Sequence, residues 1–184
     1  MRESPQARRK RRQRLQQPTT AAIKQPRTVY RFKQGFNWQG VPSEPYKLSA
    51  SQPGEFRGAT RRVLIGARGE QVAFHVRYFE LAPGGYTSLE RHRHTHAIVV
   101  LRGRGAVRIG RKLHRLRPFD AVYIGPHRPH QLIASRRAPL GFLCVVDAQR
   151  DRPRALPSPA RSRARYPRAG KQAVNRPPLA GAAI

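Results

Sequence analysis

The sequence has little acidic charge, a single cysteine and no long apolar run. Its 184 residues include 9 Asp and Glu against 38 Lys and Arg, which gives a net charge of +29. Such an excess is typical of proteins that meet anions, whether nucleic acid, an anionic surface or a small negatively charged molecule. The lone Cys144 excludes an internal disulfide, and its apolar neighbours predict a buried, unreactive thiol.

The apolar segments are too short for a transmembrane helix. None of them approaches the roughly 18–20 residues that such a helix requires. The Arg-rich start is not followed by the apolar segment of a secretory signal. We therefore expect a soluble, cytoplasmic protein without a membrane partner, and a chain of this length predicts one domain.

The charge is concentrated at the two ends of the chain. Residues 1–28 and 151–184 carry +15 of the +29, and both are rich in Arg, Pro, Gln, Ser and Ala without hydrophobic periodicity. This composition predicts disordered basic tails around a folded domain at 29–150. A basic run at residues 7–14 would suit the phosphates of nucleic acid. However, no aromatic residue for base stacking lies among its arginines, which favours a solvated tail.

The central region has the pattern of an all-β domain, with short apolar runs separated by Gly and Pro. A turn is predicted at residues 83–85, and the segment around Trp38 is expected to lie over the strands that follow. Roughly eight strands without a helix predict a jelly-roll β-barrel. The strands identified in the pattern cover residues 71–81, 97–101, 106–109, 113–116, 121–124, 131–133 and 140–146.

A histidine-rich segment, GGYTSLERHRHTH at residues 84–96, carries the strongest signal for chemistry. In an extended strand alternate side chains share a face, so one face would present a carboxylate and three imidazoles while Arg91 and Arg93 point away. Imidazole and carboxylate donors suit iron, manganese, nickel, copper or zinc. The four residues on that face are Glu90, His92, His94 and His96.

The spacing within this segment resembles the first motif of the cupin family. That motif is a glycine, five residues, His-x-His, three or four residues, Glu, six residues and a glycine. Here Gly84, Glu90, His92, His96 and Gly103 stand at these positions. Glutamate replaces the first histidine of the motif and histidine replaces its glutamate. Both kinds of ligand are therefore present, at exchanged positions.

A second segment, FDAVYIGPHRPHQLIA, resembles the second cupin motif. It has Asp120 in place of the leading glycine, keeps a proline turn at Pro126, and offers His130 as a fourth ligand. The resemblance covers residues 70–147. It implies a cupin barrel that holds one divalent transition metal, of undetermined identity, through the ligand set Glu90, His92, His96 and His130.

Each of these residues also has an interpretation without a metal. Glu90, His92 and His96 would then form a polar rim, and His130 would cap the strand that follows it. His94 lies between the motif positions, which favours a hydrogen-bonding role beside the ligands. Of the remaining histidines, His114 and His127 are expected to face solvent.

The resemblance implies two classes of function, and the basic charge of the chain adds a third. The first is a metal-dependent enzyme of the dioxygenase, isomerase or lyase type that acts on a small, oxygen-rich anionic molecule, with the metal itself as catalyst. The second is a non-catalytic small-ligand-binding cupin, and the third is a nucleic-acid-associated protein that acts through its tails. A homodimer is also expected. Five arginines near the predicted mouth would attract an anion, although arginine is abundant throughout the chain: Arg91, Arg93, Arg102, Arg104 and Arg128.

Overall fold

The computed structural model describes residues 26–47, 55–151 and 153–157. These residues form strands, turns and irregular segments without a helix, which confirms the all-β prediction. Accordingly, the described part of the chain has no helix long and apolar enough to cross a membrane. Most of the two predicted tails lies outside the described residues.

The described residues contain thirteen strands, several of them only two residues long. They are β1 (Phe32–Lys33), β2 (Asn37–Trp38), β3 (Glu44–Pro45), β4 (Arg57–Ile65), β5 (Phe74–Tyr86), β6 (Glu90–Arg91), β7 (His96–Gly103), β8 (Gly105–Ile109), β9 (Lys112–Leu116), β10 (Ala121–Ile124), β11 (His130–Ala134), β12 (Leu140–Asp147) and β13 (Arg154–Ala155).

All strands from β3 onward belong to one antiparallel sheet that curls into a barrel. One arm has the order β3-β4-β5-β12-β7-β10, and the other has the order β9-β8-β11-β6-β13. The arms join where Ile133 of β11 pairs with Tyr86 of β5. This curled sheet is the predicted jelly-roll architecture.

The core lies between the inner faces of the two arms. One arm contributes buried side chains such as Phe79, Ile98 and Phe142, and the other contributes Val107 and Leu132. Two of these rings, Phe79 and Phe142, stack with their centroids 5.4 Å apart. The inner face is therefore apolar and closely packed on the side away from the histidines.

Strand β5 differs from its prediction in length and in burial. It runs from Phe74 to Tyr86, so the turn predicted at residues 83–85 instead forms a bulge inside the strand, opposite Gly58 of β4. Both faces are covered over most of its length. Phe79 packs in the barrel, while Tyr78 packs outside against the ring of Phe36. The simple alternation expected of a half-buried strand is absent for this reason.

An outer apolar layer covers the first arm of the sheet. Trp38 and Phe36 come from the segment before β3 and pack on Tyr78, which is fully buried between them and Leu64 of β4. Strand β4 itself was not predicted, because its sequence RGATRRVLI has too few apolar residues to show a period. Its arginines are accommodated by paired side chains, as in the ion pair between Arg61 and Glu44 at 2.8 Å.

Described residues after position 150, where the sequence predicts the end of the domain, contact the histidine segment. Asp151 accepts hydrogen bonds from the backbone nitrogens of Arg93 and His94. Residues Arg154–Ala155 then add strand β13 to the edge of β6. The sequence placed residue 151 in a tail, whereas the structure uses residues 151 and 153–157 to cover the histidine segment.

Candidate metal centre

Three of the four sequence-predicted ligands begin strands that meet at one end of the barrel, and the fourth, His92, lies just after β6. Glu90 begins β6, His96 begins β7 and His130 begins β11, and His130 is the direct pairing partner of Glu90. The continuous strand predicted over residues 90–96 is interrupted between Arg91 and His96. Even so, burial alternates as expected, with Glu90 and the three histidines buried and Arg91 and Arg93 exposed.

The donor atoms of these residues lie close enough to share a metal ion. Those of Glu90, His92 and His130 lie within 4.8 Å of one another, as do those of His92, His94 and His96. The Nε2 atoms of His92 and His96 are 2.9 Å apart. Two donors at right angles around a metal, each about 2.1 Å from it, would be separated by about 3 Å. The observed separation therefore suits two ligands of one metal.

Hydrogen bonds donated by Nδ1 orient the rings of His92 and His130. His92 Nδ1 donates to the backbone carbonyl of His94 at 2.8 Å, and His130 Nδ1 donates to the carbonyl of Arg128 at 2.8 Å. A carbonyl accepts but cannot donate, so the proton must lie on Nδ1. Each Nε2 then keeps its lone pair, as a metal ligand requires.

The other two imidazoles are held at Nδ1 by side chains that the sequence did not indicate. His96 Nδ1 lies 3.0 Å from Cys144 Sγ, and His94 Nδ1 lies 2.7 Å from Asp151 Oδ1. The ring of His94 stacks on that of His92 with 3.5 Å between centroids. His94 therefore combines a carboxylate partner with a place in the donor cluster, so its position suits both a ligand and a residue that supports one.

Burial keeps the imidazoles neutral near pH 7. It lowers the pKa of His92 to about 4, with further contributions from His94 and His130. Burial is also the largest cause of the lowered pKa values of His94, His96 and His130. A neutral imidazole is the form that binds a metal, so the site needs no proton loss from these side chains at pH 7.

The carboxylate of Glu90 is held by a hydroxyl and an ammonium group. Its Oε2 atom accepts hydrogen bonds from Ser88 Oγ at 2.6 Å and from Lys47 Nζ at 3.2 Å. The Tyr46 hydroxyl lies 3.2 Å from Ser88 Oγ. Burial, followed by the charge of Glu90, raises the pKa of Tyr46 far above its ordinary value, so this hydroxyl keeps its proton. Together, a carboxylate and several imidazoles form a donor set that fits a divalent transition metal.

A cavity of about 290 Å³ adjoins the donor cluster. Its wall includes apolar side chains and four cationic ones: Lys47, Arg61, Arg77 and Arg150. The five arginines that the sequence placed near the mouth, in contrast, do not line the cavity in the described part of the chain. The anion-attracting charge therefore comes from the inner faces of β4 and β5 and from the end of β12, rather than from the histidine segment.

A curled antiparallel β-barrel with a cluster of histidines and a glutamate at the ends of its strands defines a cupin. The model of the cupin domain matches residues 77–146 of the chain. The chain is also similar over most of its length to the relatives described in the next paragraph. It belongs to the cupin family.

Its relatives include a protein named as an enzyme and two solved structures. The enzyme is 1-methylthio-D-xylulose 5-phosphate methylsulfurylase of Rhodospirillum rubrum, 42% identical over 129 residues, which are 70% of this chain and 80% of the relative. A cupin 2 conserved barrel domain protein from Rhodopseudomonas palustris is 39% identical, with a TM-score of 0.62 over 70% of this chain and 86% of its own. A cupin-2 domain from Rhodospirillum rubrum is 38% identical, with a TM-score of 0.60 over 71% and 84%.

Proposed function

We propose that this protein is a metal-dependent enzyme in which Glu90, His92, His96 and His130 hold one divalent transition metal. The observation that carries the proposal is the shared orientation of the imidazoles. His92, His96 and His130 each have the Nδ1 atom engaged by a carbonyl or a thiol, so that Nε2 is the available donor. A rim of solvated histidines would have no reason to share this arrangement.

The substrate that fits best is a small phosphorylated sugar. A cavity of about 290 Å³ suits a small molecule, and its cationic lining suits an anionic one. The name of the 42% identical relative states that it acts on a methylthio sugar phosphate. We therefore favour chemistry at a carbon–sulfur bond of such a sugar, of the lyase or isomerase kind, over the dioxygenase reaction also expected from the sequence.

The residues around the cavity would have different roles in the reaction. When bound, the metal would supply Lewis-acid polarisation of a substrate oxygen. Ser88 and Lys47 would keep the carboxylate of Glu90 in one orientation. Apolar side chains on the cavity wall, among them Ile98, Leu132 and Phe142, would exclude water from the bound substrate.

The test compares His92→Ala with His114→Ala, a histidine on the exposed face of β9. Both proteins are purified without added metal and analysed for elements, and turnover is measured with 1-methylthio-D-xylulose 5-phosphate. We expect His92→Ala to lose most of the metal and the turnover, while His114→Ala keeps both. Full metal occupancy in His92→Ala would contradict the ligand assignment.

A non-catalytic cupin would behave differently in the same experiment. It would hold metal and bind the sugar phosphate without converting it. Binding without turnover in the metal-loaded protein would therefore favour the small-ligand-binding alternative over the enzyme.

A further inference from the structure

We propose that the guanidinium groups of Arg77, Arg61 and Arg150 form the subsite that binds the phosphate group of the substrate. This inference rests on the proposed function for the identity of the ligand, which is a phosphomonoester. Its structural basis is independent of the metal, because none of these arginines belongs to the donor cluster.

Arg77 is a buried charge without a counter-ion among the described residues. Its side chain projects inward from β5, the residue is only 9% exposed, and its Nε atom has no hydrogen-bond partner in the described part of the chain. Its Nη2 atom donates only to the thiol of Cys144, at 3.4 Å. No carboxylate among the described residues forms an ion pair with it. Burying a cation in this way is costly unless a ligand completes its pairing.

Two further guanidinium groups lie beside Arg77. Arg150 donates through Nη1 to His75 Nδ1 at 3.0 Å and to the backbone carbonyl of Asp147 at 2.8 Å, and it has no ion pair in the described part of the chain. Arg61 is bound by Glu44 through two of its nitrogens. Burial, followed by the charges of Arg77 and Arg61, lowers the pKa of Arg150. Three positive charges therefore lie close together, and among the described residues only the carboxylate of Glu44 pairs with one of them.

Strand register explains how these side chains converge. Arg77 of β5 is paired with Val63 of β4 on one side and with Cys144 of β12 on the other. Directly paired residues share a face, and Arg61 lies two positions before Val63, so Arg61 and Arg77 both point into the barrel. All three arginines line the same cavity as His96 and His130.

The placement relative to the donor cluster suits a substrate that reaches both sites. Cys144 Sγ contacts Arg77 on one side and Nδ1 of His96 on the other. The two sites are therefore separated by a single thiol. A sugar phosphate could direct its sugar oxygens to the histidines while its phosphate lies among the arginines. A phosphate dianion suits three guanidinium groups better than a carboxylate, because it carries more charge and more acceptor atoms.

The experiment measures binding of inorganic phosphate by calorimetry to the full chain, after removal of metal by chelation. The variants are Arg77→Met and, as a control, Arg91→Met at an exposed position of β6. We expect Arg77→Met to weaken phosphate binding by at least about tenfold, because charged hydrogen bonds are lost. Arg91→Met should bind like the parent protein, and the background from other basic residues is common to both.

A replacement variant and a metal-site control keep the outcome decisive. If Arg77→Met melts well below the parent protein, Arg150→Met is used and the same weakening is expected. His92→Ala should lose metal yet bind phosphate normally, so failure of the metal site is distinguished from failure of the phosphate subsite. The inference would be overturned if Arg77→Met, or Arg150→Met where it is used instead, bound phosphate as tightly as the parent protein. Equal competition by acetate would overturn it as well.

Discussion

At the residue scale, the unusual feature is a glutamate where the cupin pattern places its first histidine. Glu90 is 8% exposed, and Ser88, which is fully buried, donates to its Oε2 atom. A carboxylate rotates more freely than an imidazole that is fixed at Nδ1, so it depends more on its hydrogen-bond partners for orientation. Ser88 is therefore a positioning residue in the proposed centre.

Replacement of Ser88 by Ala tests this role. The variant removes one of the two donors to Glu90 Oε2, and we expect metal affinity to fall by about 10–100-fold, as for other partners of metal ligands. Competition with a metal-binding dye measures the change. Ser135→Ala is the matched control, because the hydroxyl of Ser135 bonds only within the loop at residues 135–138 in the described part of the chain. Equal affinities in the two variants would argue against the positioning role.

The sequence could identify only those site residues that lie within a local spacing. Glu90, His92 and His96 belong to one short segment, and His130 follows a recognisable proline turn. Asp151 and Cys144 contact the histidines from 57 and 48 positions away along the chain. Such pairs arise from strand register, which a single sequence does not encode in any local pattern.

At the scale of elements, the short connection between β7 and β8 depends on Gly103. This residue has a φ of 76°, and a Cβ at this position would overlap with the backbone carbonyl of Pro139. Gly69 also has a positive φ, of 91°, yet nothing lies within 4 Å of the place of its Cβ. The two glycines thus share a left-handed backbone conformation but differ in packing.

We expect Gly103→Ala to destabilise the protein by roughly 2–5 kcal/mol and Gly69→Ala by about 1–2 kcal/mol. The smaller value is the usual cost of a left-handed residue with a side chain, and the difference is the cost of the overlap. Urea unfolding of the two variants beside the parent protein measures both free energies. Similar losses in the two variants would show that the overlap with Pro139 is relieved at little cost.

Strand prediction succeeded where one face of a strand or a clear pair of turns set the pattern. Strands β7 to β12 were located within a few residues, since glycine and proline separate them. Strand β4 was missed because three of its nine residues are arginine. Strand β5 was ended too early because its bulge contains the turn-like residues Pro83, Gly84 and Gly85. In both strands, long-range pairing outweighs the local signal.

At the scale of the whole molecule, acidic residues are scarce and most are already paired. Of the 9 acidic residues in the chain, five form ion pairs with lysine or arginine within the described part: Glu44, Glu70, Glu80, Glu90 and Asp120. A sixth, Asp151, is hydrogen-bonded to the neutral His94. Few carboxylates are left to neutralise the positive charge of the interior. An interior of this kind is stabilised by an anionic ligand, which agrees with the proposed phosphate subsite.

The buried histidines make the stability of the whole barrel depend on pH. An unfolded histidine titrates near 6.5, whereas His92 in the folded protein titrates near 4, and His94, His96 and His130 are lowered as well. Below pH 6.5 the unfolded chain therefore binds more protons than the folded one. The stabilisation is present above pH 6.5 and is lost as the pH falls toward 4.

For the metal-free protein, we expect the free energy of unfolding in urea to fall between about pH 7 and pH 4.5, with His92 alone contributing up to about 3 kcal/mol. His92→Gln should flatten this dependence because it removes one of the groups that take up a proton on unfolding. His114→Gln should leave it unchanged, since His114 is exposed on β9. A stability that is constant over this range would mean that the four histidines are solvated in the metal-free barrel, and the proposed orientation of their nitrogens would then lose its basis.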